Sequence, residues 1–498
     1  MTKKIASADR AIVVTLDVGT SSVRAILYDG RARQVPGAAV HLRHQPRISS
    51  DGRSEVDADE LVGLAGRSLL RLLHLVGPRR ASRIAGVGVS TFWHSLVATD
   101  RAACALTPVY LWSDTRSRNA IGQLEDRVDS EAVRQRTGCP IHPSYWPAKL
   151  AWLRSERSDL WNRPVRWISF GDLLFWRMFG KLGTSASMAS GTGLFRLADR
   201  GWDTELLSEL GVSPESLSPI TDVQQTLTPA YRRRLPPLAD VPWMHAIGDG
   251  ALANFGSGCL TPAKRALTVG TSGALRVMHI APPAHIPPGL WCYRLDEDRV
   301  VTGGALSNGG NLRAWFLENL GLNDAKLEAR LGHMTPAAHG LTVLPHLAGE
   351  RGLGYSPHAF GAIAGITSAT TAEQMARAGL ESIAIEFARV DRRLDEVIPG
   401  AKTLVASGSA LLNSPAWMQM MADAIGRPVA TGKEKEASSR GAALFAMERL
   451  GLAEPSKLDP GVGRVFKPRA AATSAYRALE ARQEILYRAL IRDRILGT

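Results

Sequence analysis

The chain has 498 residues, of which 45% are hydrophobic and 21% are charged. This length is enough for two large domains with separate cores, and the composition excludes a disordered or fibrous chain. The formal net charge is +13, but the basic clusters, such as the one at residues 232–234, are short and scattered. That pattern favours an enzyme for anionic small ligands over a nucleic-acid-binding protein, which would need a basic patch or stripe.

The cysteine content and the hydropathy of the chain indicate the cellular compartment in which the protein is expected. The four cysteines lack metal-ligand and Cys-x-x-Cys spacing, which in a chain of this size fits a reducing environment. No run of about 20 apolar residues exists for a transmembrane helix. The apolar run that begins at Ala11 meets Asp17 too early to form a signal-peptide core. We therefore expect a cytoplasmic protein with no membrane partner.

The first predicted element is a β-hairpin with a polar tip. Residues 11–16 and 23–28 are β-branched runs typical of strands, and the turn between them contains Gly19, Thr20 and Ser21. A helix is predicted over 59–76, strands over 84–89 and 96–99, and a helix over 251–255 after the turn Gly248-Asp249-Gly250.

The pattern of the first hairpin returns half a chain later. Predicted strands over 265–269 and 274–280 flank Gly270-Thr271-Ser272, so Val269 to Ser272 repeats Val18 to Ser21. A repeat of this length indicates two duplicated domains rather than a solenoid. We place the N-terminal domain at residues 1–257 and the C-terminal domain at residues 258–498.

The second half alternates strands with helices. Strands are predicted over 341–345 and 403–406, and a helix over 414–425 ends before Gly426. Thr370 and Glu373 form a predicted capping box, followed by one apolar helix face. That face consists of Ala376, Leu380, Ile383, Phe387, Val390 and Leu394. This alternation predicts α/β domains with mixed sheets.

The two hairpin tips suit anion binding, because glycine lets a phosphate approach backbone N–H groups. The same residues are also ordinary turn formers, and either tip alone leaves both interpretations open. Two tips from related domains would hold the phosphates of one nucleotide from both sides. Asp17 would hold Mg²⁺ directly or through water. Arg24 would reach a phosphate or remain a surface cation.

Three further residues suggest an acceptor site. Asp249, between two glycines, is either a helix N-cap or a general base that accepts a proton from a hydroxyl attacking a γ-phosphoryl group. Trp93 and His94 form either a sugar-binding pair or a buried structural pair. Residues 404–413 predict a strand and a glycine loop that would pack under an adenine.

Taken in order, these motifs resemble the FGGY family of carbohydrate kinases. Its members have two actin-like (RNase H-like) domains, with ATP and a sugar bound in the cleft between them. The resemblance covers nearly the whole chain. It rests on residues 16–24, Gly248-Asp249-Gly250, residues 267–272, Gly309-Gly310 ahead of Trp315, Gly349-Glu350-Arg351 and residues 406–409.

The resemblance implies roles for named residues. Asp17 would bind Mg²⁺ and Asp249 would be the catalytic base. The sugar would contact Trp93, His94, Asp114 and Asp249, with Asp114 in a motif shared with Arg116. The nucleotide would contact Gly19, Thr20, Ser21, Arg24, Gly270, Thr271, Gly310, Gly408, Ser409 and Asn413.

Some positions depart from the family pattern. Gly250 replaces a glutamine that contacts the sugar in many members, and Ser409 replaces the second glycine of the adenine loop. Residues 352–356 lack the Trp-Asn pair that relatives often have. No catalytic group is lost.

The segments 92–95, 142–146 and 249–250 look most like the gluconokinase group, and Lys149 is a candidate cation for a gluconate carboxylate. We therefore expect ATP-dependent phosphorylation of D-gluconate to 6-phosphogluconate. The alternatives are a xylulokinase-like or ribulokinase-like kinase, a catalytically inactive nucleotide-binding regulator on the same fold, and a nucleic-acid-binding protein. The sequence leaves open whether the chain forms a homodimer.

Overall fold

Two mixed β-sheets, one in each half of the chain, form the framework of the protein. The structure is a computed structural model that describes residues 11–222, 226–347 and 349–495. The two ends of the predicted domains, at residues 1–10 and 496–498, lie outside these ranges. Among the described helices, none combines the length and the apolar character needed to cross a bilayer.

The first half holds twelve strands and nine α-helices within the described residues. The strands are β1 (Ile12–Val18), β2 (Ser22–Tyr28), β3 (Gln34–Arg43), β4 (Arg47–Ile48), β5 (Ser54–Val56), β6 (Ile84–Thr91), β7 (Val97–Thr99), β8 (Val109–Tyr110), β9 (Arg166–Ile168), β10 (Phe195–Arg196), β11 (Gly201–Trp202) and β12 (Ile247–Gly248). The helices are α1 (Ala58–Ala81), α2 (Ala120–Glu125), α3 (Ser130–Thr137), α4 (Trp146–Glu156), α5 (Phe170–Phe179), α6 (Ala186–Ser190), α7 (Thr204–Leu210), α8 (Pro229–Arg234) and α9 (Asp249–Gly256).

The second half adds nine strands and seven α-helices in the same described ranges. The strands are β13 (Lys264–Val269), β14 (Gly273–Ile280), β15 (Trp291–Arg294), β16 (Arg299–Leu306), β17 (Thr342–Pro345), β18 (Gly361–Ala364), β19 (Thr403–Ser407), β20 (Val429–Gly432) and β21 (Val462–Phe466). The helices are α10 (Gly310–Asn319), α11 (Asp324–Leu331), α12 (Ala372–Val397), α13 (Ser409–Leu412), α14 (Pro415–Ile425), α15 (Ala437–Arg449) and α16 (Ala470–Tyr487).

The strand orders confirm the predicted mixed sheets. The first sheet runs β12-β6-β1-β2-β3 and the second runs β15-β16-β14-β13-β19-β20-β21. In each, a predicted hairpin lies beside parallel strands: β1 pairs with β2 antiparallel and with β6 parallel, and β13 pairs likewise with β14 and β19. β17 was predicted as a strand, but it pairs with β18 outside the central sheets.

The parallel pairing brings the predicted motifs to one edge of each sheet. Val18 pairs with Thr91, and Thr91 pairs with Gly248. The first tip, the segment after β6 and the start of α9 therefore lie side by side at the same edge of the first sheet. In the second sheet Thr268 pairs with Ser407, which places the second tip beside the loop after β19. Ligands of open α/β sheets bind at the carboxyl ends of the strands.

The predicted capping box of the longest helix was wrong by one residue. The N-cap of α12 is Thr371, whose hydroxyl accepts from the backbone N–H of Gln374, while the Gln374 side chain accepts from the Thr371 N–H. The hydroxyl of Thr370 instead accepts from the N–H of Thr367 in the preceding turn. The apolar face predicted for this helix is buried throughout, as expected.

The two halves share their cores. Helix α15 lies between β20 and β21 of the second sheet in the chain, yet Ala443, Leu444 and Phe445 pack in the core of the first half. A Cβ on Gly441 of α15 would lie 2.0 Å from the carbonyl oxygen of Leu252 in α9, so only glycine permits this approach. Because α9 begins at Asp249, this contact helps to position that carboxylate. The predicted division after residue 257 remains a prediction.

Candidate active site

Asp17 lies near the carboxyl end of β1 with its side chain 2% exposed. Arg24 donates a hydrogen bond from Nη1 to Asp17 Oδ2 at 3.2 Å, and the Ser438 hydroxyl donates to the same oxygen at 2.8 Å. In the described ranges no donor reaches Oδ1, so one carboxylate oxygen remains available to a ligand. Arg24 also lies 3.4 Å from Glu436, which makes it a partly buried, paired residue and not a free surface cation.

Asp249 is the first residue of α9, and Gly248 is the N-cap residue. Its Oδ1 accepts a hydrogen bond from the Gly250 N–H at 2.8 Å. Burial, together with the negative charge of Asp17, raises the pKa of Asp249 to about 6, against the opposing charge of Arg276. A carboxylate with this pKa is ionised at neutral pH and basic enough to accept a proton from a hydroxyl.

Trp93 and His94 follow β6 and lie beside Asp249. The Trp93 indole N–H donates to the Ser187 carbonyl oxygen at 2.9 Å, and a Cβ on Gly248 would lie 1.8 Å from its ring. His94 has a φ of +65° and donates from Nδ1 to the Gly191 carbonyl oxygen. Burial, with the charge of Arg351, holds the pKa of His94 well below its usual value. The neutral ring therefore keeps Nε2 as an acceptor.

A cavity of about 260 Å³ lies between the halves and joins these residues to others. From the predicted set it is lined by Thr20, Trp93, His94 and Asp249. Its lining from the second half includes the large side chains of Arg276, Trp291, Tyr293 and Arg351. Arg351 belongs to a motif that the sequence revealed, but without a role. Arg276 and the two aromatic residues lie on ordinary strands, and only their position in the second sheet reveals them.

Aromatic rings form one wall of this cavity. The rings of Trp291 and Tyr293 stack with centroids 4.2 Å apart, and Trp93 meets Tyr293 at 4.8 Å. The hydroxyls of Tyr145 and Tyr293 share a hydrogen bond at 2.5 Å. This wall is stiff and offers an apolar face with polar edges, which suits a molecule carrying hydroxyls on a carbon chain.

A second groove, of about 480 Å³, lies at the tip of the second hairpin. Its lining includes five of the predicted nucleotide contacts: Gly270, Thr271, Gly310, Ser409 and Asn413. The backbones here are tightly packed, because a Cβ on Gly408, whose φ is +90°, would lie 2.3 Å from the Val269 carbonyl oxygen. A Cβ on Gly270 would meet no atom within 4 Å. The groove is therefore an open, glycine-lined cradle that fits a nucleotide phosphate.

Asp114 and Lys149 lie apart from both cavities. Asp114 is 1% exposed and accepts hydrogen bonds from the Ser54 N–H and the Arg116 guanidinium. The Lys149 ammonium donates to the carbonyl oxygens of Pro143 and Asp114, and burial lowers its pKa to about 7. Neither side chain lines the cavity between the halves. A sugar contact by Asp114 remains a prediction.

The carboxylates fit magnesium better than a metal that needs a full protein cage. Across the described ranges no three His, Cys, Asp or Glu side chains cluster as ligands. Mg²⁺ is usually held by one or two carboxylates, several waters and the substrate phosphates. The unengaged oxygen of Asp17, beside the first tip, meets that requirement.

Comparisons with known proteins agree with this geometry. Residues 12–256 match the N-terminal domain of the FGGY family of carbohydrate kinases, and residues 266–449 match its C-terminal domain. A gluconokinase of Bacillus subtilis (strain 168) is 28% identical over 460 residues, which cover 89% of this chain and 88% of that protein.

Solved structures with the same fold agree with these matches. A gluconate kinase from Lactobacillus acidophilus superposes with a TM-score of 0.88 at 26% identity, covering 96% of this chain and 98% of that one. A ligand-bound xylulose kinase from the same organism has a TM-score of 0.90 at 26% identity, covering 98% of this chain and 100% of that one. The predicted pair of actin-like domains with a cleft is thereby confirmed.

Proposed function

Because this chain belongs to the FGGY family of carbohydrate kinases and is an ATP-dependent sugar kinase, we propose that its acceptor is D-gluconate, which it converts to 6-phosphogluconate. The observation that carries the proposal is the cavity between the halves. It combines a carboxylate suited to act as a base, Asp249, with two cations, Arg276 and Arg351. The similarity to a gluconokinase and to a gluconate kinase structure supports the same acceptor.

ATP would lie between the two hairpin tips. Thr271 and Gly270, with Gly310 and Asn413, would hold it from the second half, and Thr20 would meet the phosphates from the first. Gly19, Ser21, Arg24, Gly408 and Ser409 complete the proposed nucleotide site. Asp17 would hold the Mg²⁺, which neutralises phosphate charge as it builds up during transfer.

The chemical step would use Asp249 as the base. Its carboxylate accepts the proton of the acceptor hydroxyl while that oxygen forms a bond to the γ-phosphorus of ATP. The bond from the γ-phosphorus to the β,γ-bridging oxygen breaks, and ADP leaves with that electron pair. Trp93 and His94 would orient the carbon chain, with the His94 Nε2 accepting from a hydroxyl. Closure of the halves would exclude water.

A cytoplasmic location is part of the proposal. The four cysteines are free thiols and three of them are buried, which suits a reducing compartment. The proposed partner is a small sugar acid.

A neutral ketose such as xylulose is the second candidate. The similarity to a ligand-bound xylulose kinase favours it, because that match is as strong as the match to the gluconate kinase. A regulator without phosphotransfer is disfavoured by the presence of both Asp17 and Asp249.

The test is release of ADP from Mg·ATP, measured with a panel of sugars, polyols and sugar acids. We expect selective turnover of gluconate, with the product identified as the 6-phosphate by phosphorus NMR. Preference for xylulose, ribulose or a polyol would support the kinase activity but reject gluconate as the acceptor. ATP binding with no turnover of any acceptor would favour the regulator.

A further inference from the structure

Gly250 opens the first turn of α9 to the cavity that contains Asp249. A Cβ at this position would lie 2.7 Å from the Trp93 ring and 3.6 Å from Arg276 Nη1. The backbone does not require a glycine here, because the φ of Gly250 lies outside the left-handed region, and glycine is less favourable than alanine in a helix. The missing side chain instead lets Trp93 pack on the helix and leaves Arg276 Nη1 uncovered.

Arg276 is a residue of β14 whose guanidinium is held at two of its three nitrogens. Its Nε donates to Asn254 Oδ1 at 3.0 Å, and its Nη2 donates to Thr268 Oγ1 at 2.8 Å. Within the described ranges Nη1 forms no hydrogen bond or ion pair, although the side chain is only 8% exposed and lines the cavity. A buried charged donor without a partner is costly, so a fixed guanidinium with one free nitrogen indicates an acceptor atom brought by a ligand.

The free nitrogen lies on the same wall of the cavity as the proposed base. Asn254, which holds Arg276, lies one turn after Gly250 in the helix that begins at Asp249. Burial and the charge of Asp17 raise the pKa of Asp249, and the positive charge of Arg276 opposes them. A polyol with one hydroxyl at Asp249 would therefore present a neighbouring oxygen to Arg276.

Arg351 lines the same cavity, but its position relative to the base is different. Its charge has a smaller effect on the pKa of Asp249 than the charge of Arg276 has. Its guanidinium carbon lies 4.5 Å from the centroid of the Trp112 ring. Of the two cations, Arg276 is therefore the one that acts more strongly on the base.

We propose that Arg276 binds the acceptor by donating from Nη1 to the hydroxyl on the carbon next to the one that is phosphorylated. This inference rests on the proposed function, and it adds a binding residue to the same site. In gluconate phosphorylated at C6, the hydroxyl concerned is the one on C5. A hydrogen bond from a fixed, charged donor holds that carbon in place, so that the reacting hydroxyl faces Asp249.

The test pairs a change in the protein with a change in the acceptor. Arg276→Met removes the donor and keeps much of the side-chain volume, and 5-deoxygluconate lacks the hydroxyl that would accept. The control acceptor is 3-deoxygluconate, which lacks a hydroxyl farther from the reacting carbon. The control variant is Arg464→Met, because Arg464 is an exposed arginine on another strand of the second sheet. Thermal unfolding of each variant checks that it is folded.

We expect the two changes to be non-additive. The wild type should lose about tenfold to a hundredfold in kcat/KM with 5-deoxygluconate relative to gluconate, and Arg276→Met should lose as much with gluconate, because a hydrogen bond to a charged group is lost. In Arg276→Met the two acceptors should differ by about twofold or less, since the hydroxyl has no donor left to lose. The factor lost with 3-deoxygluconate should be the same in both proteins. Arg464→Met should match the wild type, and the dissociation constant of ATP should not change in either variant.

Two results would overturn the inference. One is an equal loss with 5-deoxygluconate in wild type and Arg276→Met. The other is a weakened affinity for ATP with an unchanged acceptor KM in Arg276→Met, which would make Arg276 a phosphate contact. If Arg276→Met does not fold, the wild type alone decides, because full turnover of 5-deoxygluconate would also reject the contact.

Failure of the proposed function has a different signature, since the wild type itself would then not turn over gluconate. The same pairing is in that case made with the acceptor that the wild type uses best and with its analogue that lacks the hydroxyl next to the phosphorylated position. Non-additive losses there would support the role of Arg276 while rejecting gluconate. Turnover of no acceptor would overturn both proposals.

Discussion

In the first hairpin the residue two positions before the tip glycine is Asp17, and in the second hairpin it is Thr268. Each accepts a hydrogen bond from an arginine on the following strand. Arg24 donates to Asp17 at 3.2 Å, and Arg276 donates to Thr268 at 2.8 Å. Each also meets a serine hydroxyl from a neighbouring element, Ser438 in the first case and Ser407 in the second.

The two related halves thus present side chains of opposite charge. At the cavity the first half presents the carboxylate Asp249, with Asp17 near enough to raise its pKa, whereas the second half presents the cations Arg276 and Arg351. A second carboxylate at position 268 would repel the phosphates and raise the pKa of Asp249 further, since Asp17 already does so. In the proposed mechanism, the first half therefore supplies the groups for metal and proton chemistry, and the second half supplies groups for binding.

Among changes to the two hairpins, the largest effect should come from making the first hairpin resemble the second. We expect Asp17→Thr to lower kcat by about tenfold to a hundredfold and to raise the Mg²⁺ concentration needed for half-maximal rate, because a metal-holding carboxylate is lost. The matched change in the other hairpin is Thr268→Val, which removes the hydrogen bonds of this hydroxyl with Arg276 and Ser407 and should lower kcat by about tenfold or less. Equal losses in the two variants would contradict the division of roles.

The pH dependence should also separate the two carboxylates. In the proposed mechanism Asp249 acts as a base only when ionised, so kcat/KM for the acceptor should fall about tenfold for each pH unit below its pKa of about 6. In Asp17→Asn the midpoint should move to lower pH, because a charge that raises the pKa of Asp249 is gone. A midpoint that stays in place would show that another group controls the profile.

A smaller effect is expected from two glycines, Gly270 at the second tip and Gly408 in the loop after β19 beside it. In Gly408→Ala the new methyl group would press on the Val269 carbonyl oxygen at a φ of +90°, so we expect a loss of about 1–3 kcal/mol in the free energy of unfolding. In Gly270→Ala the methyl group meets no protein atom, so stability should be kept while KM for ATP rises. Urea unfolding and ATP kinetics measure both, and a Gly408→Ala protein as stable as the wild type would refute the packing argument.

The local sequence pattern was enough to predict the elements that carry the proposed nucleotide site. The hairpins, the helix that begins at Asp249 and the long helix α12 follow from turn residues and from apolar periodicity, which are properties of neighbouring residues. The capping box was misplaced by one position because Thr370 and Thr371 are both followed by a suitable residue three positions later. Only the hydrogen bonds distinguish the two.

The acceptor site was harder to predict, because tertiary structure assembles it. Arg351 and Trp112 are far apart in the chain and meet only when the two halves close on one another. The sequence instead suggested Lys149, whose ammonium is turned to backbone carbonyl oxygens. The burial of α15 in the core of the first half also could not be predicted from the local sequence pattern. It depends on glycines that contact backbone from distant parts of the chain.

The most direct test of the account is the turnover of Asp249→Asn with Mg·ATP and the best acceptor, beside the control Asp240→Asn, whose carboxylate is exposed. We predict that kcat of Asp249→Asn falls at least about a hundredfold, by the usual contribution of a general base, while the dissociation constant of ATP and the thermal midpoint stay near those of the wild type. The control should keep full activity. Near-normal turnover of Asp249→Asn would contradict the account, because no proton would then pass to Asp249.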